Sequence, residues 1–245
     1  MTTLPSRKDE AYRYADTDAL ARVWPLPAEE SIVVPAGGHF ARTIVQDAAS
    51  GQASVVQMRL SLGKGARAAI HVLNIGGAYG RIALDVTCHE GADFTLGAAQ
   101  VGGEGQTLEI VTNVTHAEPN ATSSQIVRSA LGAGATGTYL GKVAVARGAQ
   151  GTDSEQSVRA MLLDRTATAN AKPELEIFAD DVKCAHGCAV GELDAAALFY
   201  LQARGLPPAE AKALLTQAFI AGALDGAEDA EALQALALAK LAEAL

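Results

Sequence analysis

Ile82-Ala-Leu-Asp-Val-Thr-Cys-His-Glu-Gly-Ala92 is the stretch that decides the fold class. Ile82, Leu84, Val86 and Cys88 fall on one side of an extended strand. Ala83, Asp85, Thr87 and His89 fall on the other, because strand side chains alternate with period two. The run then breaks at Gly91. The same grammar recurs on both sides of it. Val56, Met58, Leu60 and Leu62 alternate with Gln57, Arg59 and Ser61, Leu108 and Ile110 flank Glu109, and Val143 and Val145 alternate with Lys142 and Ala144. Nineteen of the 24 glycines lie between Gly37 and Gly151, which places the breaks within this body. Alternation with glycine-rich breaks roughly every 10–15 residues, from about Ser31 to Val182, predicts many short strands and almost no helix.

A sandwich, a closed barrel and a β-helix all satisfy that alternation. Sandwich hairpins favour Asn-Gly or Asp-Gly turns, and the body contains neither. Small side chains throughout, with 4% aromatic residues, suit coils stacked around a narrow core and favour a parallel β-helix. No strict sequence repeat accompanies the pattern.

The ends read differently. Residues 5–24 mix charge with Tyr12, Tyr14, Leu20 and Val23 and read as a short helical opening, followed by Pro25, Pro27 and Pro35. From Gly191 the chain turns helical. Asp194 can cap a helix running to about Arg204, with Gly205 as its terminator. Pro207-Pro208 opens a second helix, whose apolar stripe reads as Leu214, Leu215, Ala218 and Phe219. A third spans about Ala227 to Leu245, with Leu233, Leu236, Leu241 and Leu245 near one face. Such a tail covers the open end of a β-helix or offers a face to a partner. The expected division is an N-terminal helical segment over 1–30, a β-helix core over 31–190 and a helical domain over 191–245.

Composition narrows the function. A net charge of −9 leaves no basic stripe for nucleic acid or an anionic membrane surface. No apolar run approaches the length that crosses a bilayer, roughly 20 residues. The opening Met1-Thr-Thr-Leu-Pro-Ser-Arg-Lys-Asp-Glu10 lacks a signal-peptide core, and three cysteines do not make a secreted disulfide framework. The expectation is a cytoplasmic chain with reduced thiols.

Most motif matches have structural readings. Gly132-Ala-Gly-Ala-Thr-Gly137 fits the dinucleotide pattern, but Thr138-Tyr-Leu-Gly-Lys-Val-Ala-Val145 after it alternates like a strand, so a turn is expected. Thr136 stands where a phosphate loop ending at Gly141-Lys142 needs its first glycine, so the chain is expected to bind no nucleotide itself. His39, His71, His89 and His116 are isolated, and Cys88 continues an apolar series. Asp180-Asp181 are neighbours that a strand would point apart, which favours a turn or a partner contact.

Lys183-Cys-Ala-His-Gly-Cys188 stands out. On a continuing strand, Cys184, His186 and Cys188 project from one face. Thiolate and imidazole are the donors that iron, zinc and iron–sulfur clusters prefer. Residues two apart on a strand lie about 6.5–7 Å apart, whereas metal–donor bonds are about 2.0–2.3 Å. One strand therefore makes half a site, to be completed from another chain. A strand end with incidental cysteines satisfies the same residues.

Lys172-Pro-Glu-Leu-Glu-Ile-Phe-Ala-Asp-Asp-Val-Lys-Cys-Ala-His-Gly187 resembles the signature of the SufB/SufD family of iron–sulfur cluster assembly scaffolds. Val190-Gly-Glu-Leu-Asp194, Leu198-Phe-Tyr-Leu-Gln-Ala-Arg-Gly-Leu206 and the opening Leu4-Pro-Ser-Arg-Lys-Asp-Glu-Ala-Tyr-Arg-Tyr14 are similar to it as well. The Lys-Cys-x-His-Gly element, Lys183 to Gly187, looks like the SufD branch. The resemblance implies a mainly β chain: a right-handed parallel β-helix with a short N-terminal helical segment and a C-terminal α-helical tail. It implies a non-catalytic scaffold that pairs with a SufB-like subunit through the C-terminal edge of the β-helix. It also implies that a SufC-like ATPase docks on the helices, approximately Glu192 to Leu224. His186 matches the family's functional histidine and Cys184 the neighbouring thiol, for iron or a transient iron–sulfur cluster shared with SufB. Cys188 stands where alanine is common, and the sequence is shorter than many SufD proteins. The rival readings are a β-helical carbohydrate-active enzyme, which needs clustered carboxylates on consecutive coils, and a homodimeric scaffold without a metal role.

Overall fold

The computed structural model describes residues 4–244. Leu245, the last residue of the expected third-helix stripe, and Met1-Thr2-Thr3 of the opening lie outside them. Twelve strands wind into a parallel β-solenoid. Strands β1 (Glu30–Val34), β3 (Ala53–Leu62), β5 (Tyr79–Cys88), β7 (Thr107–His116), β9 (Thr136–Val145) and β11 (Thr168–Ile177) form one six-stranded sheet. Strands β2 (His39–Gln46), β4 (Arg67–Asn74), β6 (Asp93–Gly102), β8 (Thr122–Leu131), β10 (Thr152–Leu162) and β12 (Val182–Gly191) form the other. Each coil gives one strand to each sheet, so the expected parallel β-helix is the observed fold.

Stacking is in register, and the alternation in sequence becomes columns in space. Ile32, Leu60, Val86, Val114, Val143 and Leu175 occupy one column. The chain takes a shorter path from Leu60 to Val86 than from Val143 to Leu175, although each step is one coil. Variable coil length is therefore why no strict repeat is visible. Cys88, 0% exposed, sits in the core as the alternation predicts.

One corner shows why the breaks are glycine-rich. Gly37, Gly65, Gly91, Asn120 and Gly151 all adopt positive φ, between 61° and 73°. Each donates its backbone N–H to a carbonyl of the next coil: Lys64, Glu90, Pro119, Gln150 and Asp181 in turn, at 2.7–3.0 Å. Left-handed backbone favours glycine, with asparagine the next best tolerated. The expected turn at Asp180-Asp181 supplies the last acceptor of this ladder.

The two ends of the stack differ. At the first coil, Glu30 and Arg42 share the inward columns of Met58 and Ile70. They pair at 2.5 Å, with the guanidinium 5.8 Å from the Phe40 ring centre. An inward charge pair blunts a strand edge against further pairing. At the last coil, β11 and β12 each have one neighbouring strand, and among the described residues no helix is packed across them. Pro173 in β11 lacks a ladder donor, which an edge strand tolerates.

The helices flank the solenoid. The opening is shorter in helix than its composition implies: a 3-10 turn at Glu10–Tyr12, then α1 (Thr17–Arg22), capped by Asp16. It crosses the outer face of the odd-numbered sheet. There Arg81 bridges Glu109 Oε2 at 2.5 Å and the Ala11 carbonyl at 2.7 Å, with the Tyr12 ring 4.3 Å away. Asp194 caps α2 (Ala195–Ala203) as expected, accepting from Ala196 and Ala197. Pro208 opens α3 (Pro208–Leu224), and α4 (Ala230–Ala244) follows.

The tail does not cover the open end. Ile220, Leu224, Leu233, Ala237 and Leu241 pack on Leu73, Ala99, Val101 and Ala130, the outer face of the even-numbered sheet. This seat keeps part of the expected stripes, with Leu233 and Leu241 buried and Phe219 packed on the same cluster, and turns the rest outward. Leu214, Ala218 and Leu236 face solvent, while Ala211, Thr216 and Ile220 are buried. Gly97 makes the seat possible, since a Cβ there would collide with the Ala223 carbonyl oxygen. His71 Nε2 donates to the Asp225 carbonyl at 3.2 Å and fixes the α3–α4 turn.

His116 is buried inside the solenoid, its Nε2 2.9 Å from Ser123 Oγ and its Nδ1 without a partner. Burial holds its pKa down to about 4, from an ordinary value of 6.5. The unfolded chain therefore binds the extra proton first as pH falls, and the folded state loses stability between those two values. Complete protonation would cost about 3 kcal/mol. Thermal melts from pH 7.5 to 4 should fall less steeply for His116→Gln than for the wild type.

Candidate functional site

The β10–β12 ladder puts Cys184 opposite Ser154, His186 opposite Gln156 and Cys188 opposite Val158. All three β10 residues are buried, so the β12 residues continue inward-facing columns. Because β12 ends the sheet, nothing covers them from the next coil. Cys184 is half-buried, and His186 and Cys188 are exposed. The expected strand and shared face are therefore present. The three donors remain strung along one strand. Among the described residues, no group of three or more His, Cys, Asp or Glu side chains is gathered to hold a metal ion.

The local electrostatics keep both thiols protonated. Burial pushes the Cys184 thiol up, the Asp153 carboxylate adds to that, and the Ser154 backbone opposes it. Burial alone raises Cys188, whose thiol points at the Ala171 carbonyl 3.7 Å away. Neither is a thiolate waiting to react. Each becomes a good ligand only when an incoming cation offsets the cost of ionisation. One imidazole and two thiols match iron or an iron–sulfur cluster in donor type; the spacing does not close around one ion.

The remaining histidines lie apart from this end or serve the fold. His39 is exposed, His89 pairs with Glu118 at 3.2 Å, and His71 and His116 are held as described. Residues 132–135 form the turn into β9, with Gly134 at φ 68°, so the glycine-rich match opens no helix. What the sequence reading missed lies beneath β12. Ser123, Ser154, Gln125 and Gln156 occupy inward positions of the last coils, joined by Thr112, His116 and Tyr139 from the facing sheet. Their signal was polar residues at positions where the alternation demands apolar ones.

Residues 29–219 match the family described as SUF system FeS cluster assembly, SufBD core domain. The chain belongs to the SufBD family. It is 33% identical over 168 residues to the iron–sulfur cluster assembly SufBD family protein slr0076 of Synechocystis, covering 68% of this chain and 37% of that one. Identity to the iron–sulfur cluster assembly protein SufD of Escherichia coli is 28% over 187 residues, 76% of this chain and 44% of SufD. Protein ABCI7, chloroplastic, of Arabidopsis thaliana is 38% identical over 115 residues, 46% and 24% of the two chains. The chain thus spans less than half the length of these relatives. Within the SufBD family it is most like SufD. Among the described residues, no helix is long and apolar enough to cross a membrane.

The raised thiol gives a direct check. In a variant whose only cysteine is Cys184, Asp153→Asn should speed iodoacetamide alkylation at pH 8, because removing the neighbouring negative charge lowers the thiol pKa. An unchanged rate would remove Asp153 from this account.

Proposed function

We propose that this SufBD-family chain acts as a SufD-like, non-catalytic scaffold subunit in cytoplasmic iron–sulfur cluster assembly. It pairs with a SufB-like subunit through the open C-terminal end of the solenoid and offers His186, with Cys184, to a nascent cluster formed there. Iron and the cluster are cargo of this site. The observation that carries the reading is the asymmetry of the two ends. The first coil is closed by an inward ion pair, whereas the last turns an imidazole and two thiols inward beneath nothing. Ile177, Phe178 and Val190 are exposed around the same end, at 39%, 57% and 47%. An uncapped edge with apolar flanks favours strand-end pairing. Without a SufB-like partner, that edge is free to pair with a second copy.

Helix α2 supports a second docking surface, for a SufC-like ATPase on approximately Glu192 to Leu224. Its sequence Ala195-Ala-Ala-Leu-Phe-Tyr-Leu-Gln-Ala203 is apolar on every side, yet none of its residues is buried. Phe199 and Tyr200 are 71% and 57% exposed. Exposed aromatics are the usual anchors of protein interfaces.

Two experiments separate these surfaces. The chain is co-expressed with SufB- and SufC-like partners and reconstituted anaerobically with iron and sulfide. His186→Ala should then form at least about tenfold less cluster, since even outer partners of metal ligands are worth about 10–100-fold. Wild-type yield in that variant ends the ligand proposal. Phe199→Glu with Tyr200→Glu should abolish capture of the ATPase while leaving stability within about 0.5 kcal/mol, as surface changes do. Undiminished capture would move the docking surface off α2.

A further inference from the structure

The interior of the solenoid changes character along its axis. Beyond Arg42 of the first coil, one column runs Ile70, Leu96, Gln125, Gln156 and His186, apolar in the second and third coils and polar beneath the open end. Gln156 is 0% exposed. Its Nε2 donates to the Tyr139 hydroxyl at 3.1 Å. That hydroxyl lies 3.1 Å from Gln125 Oε1 and 2.9 Å from Thr112 Oγ1. Thr112 Oγ1 is itself 3.0 Å from Gln125 Oε1. With Gln125 Oε1 turned toward Thr112 and Tyr139, the Tyr139 proton goes to Gln125 or Thr112 and its lone pair receives the Gln156 amide N–H. Gln125 Nε2 is then buried without a partner as well, so the two amide orientations are set together. Gln156 is thereby held with Oε1 buried and without a partner. His186 is the next residue in that column, one strand spacing or about 4.8 Å along the axis.

A buried acceptor fixed by a network and left unpaired calls for a donor. We propose that Gln156 is the positioning residue for His186: its Oε1 accepts the ring N–H as the imidazole takes up iron, leaving the other ring nitrogen's lone pair for the metal. A neutral imidazole carries one donor and one acceptor, so occupying the donor selects the tautomer and orients the ring. Metal-bound histidines usually give their second nitrogen to such a partner, and losing it costs about 10–100-fold in affinity or activity. The inference rests on the reading of His186 as a cluster ligand. It adds the residue that makes an exposed side chain a directed one.

The test uses the full chain co-expressed with its SufB- and SufC-like partners, reconstituted with Fe(II) and sulfide and reduced to a paramagnetic state. Pulsed EPR reads the 14N quadrupole coupling of the non-ligating ring nitrogen, which grows as its N–H hydrogen bond weakens. Gln156→Leu should increase that coupling and slow cluster formation about tenfold. Gln156→Glu keeps an acceptor at the same place, so it should hold the coupling at or below the wild-type value and restore most of the rate. Circular-dichroism melts of both variants establish that they are folded. A nitrogen signal that Gln156→Leu leaves unchanged overturns the positioning role alone, with His186 still a ligand. A wild-type cluster without nitrogen coupling, together with full assembly by His186→Ala, overturns the ligand reading and this inference with it.

Discussion

Parallel strands stacked in register, about 4.8 Å per coil, are the constraint on which the rest of this molecule depends. A residue's neighbours are the residues at the same station one coil above and below, so side chains sort into columns with lasting character. Leu60, Val86 and Val114 stay buried because each covers the next. The turn at Gly37, Gly65, Gly91, Asn120 and Gly151 must repeat the same left-handed backbone because each N–H answers a carbonyl of the following coil. A fold of this kind has no internal reason to stop. Its ends are where the covering neighbour is missing, and each end needs its own answer.

Two different answers are given. At the first coil an inward Arg42–Glu30 pair makes further stacking unfavourable, since an added strand would bury both charges. At the last coil the inward residues of β12 carry no charged pair, and the tail that could have capped them lies instead on the outer face of the even-numbered sheet. Two glycines fix that choice. Gly97 admits the Ala223 carbonyl and Gly132 the Ala244 carbonyl, each at a distance that no Cβ would allow. The helices therefore stiffen the stack from the side and leave its end open.

The solenoid was legible from period two and glycine spacing because both follow from local backbone physics. Variable coil length hid the repeat, since the column step from Leu60 to Val86 is shorter in sequence than the step from Val143 to Leu175. Caps were legible too: Asp194 and Pro208 announce their helices by residue type alone. The helix stripes were legible only in part: Leu233 and Leu241 are buried as read. Leu214 and Leu236 look like core residues until the Gly97 seat turns a different face inward, and nothing local to the helix encodes that seat. The same limit applies to the site. Spacing put Cys184, His186 and Cys188 on one face, but the polar column beneath them is built from β10 and β8, one and two coils upstream. Only the register brings Gln125 and Gln156 under His186.

Register also bears on why a cluster site would sit at such an end. Two donors on one tetrahedral ion lie about 3.3–3.8 Å apart. Along a single strand, donors on one face leave the backbone about 6.5–7 Å apart, too far to converge without bending it. Across neighbouring strands they leave it about 4.8 Å apart, which comes closer to the ion's span. Inside the solenoid those cross-strand positions are closed by the next coil, and a metal there would have no way in or out. At the last coil the matching position is open, and a chain docked there would supply it. A site built from His186 and a residue facing it across that junction would form on closure and come apart on opening. A scaffold that must release its cargo needs that property, and a ring of ligands within one chain would lack it.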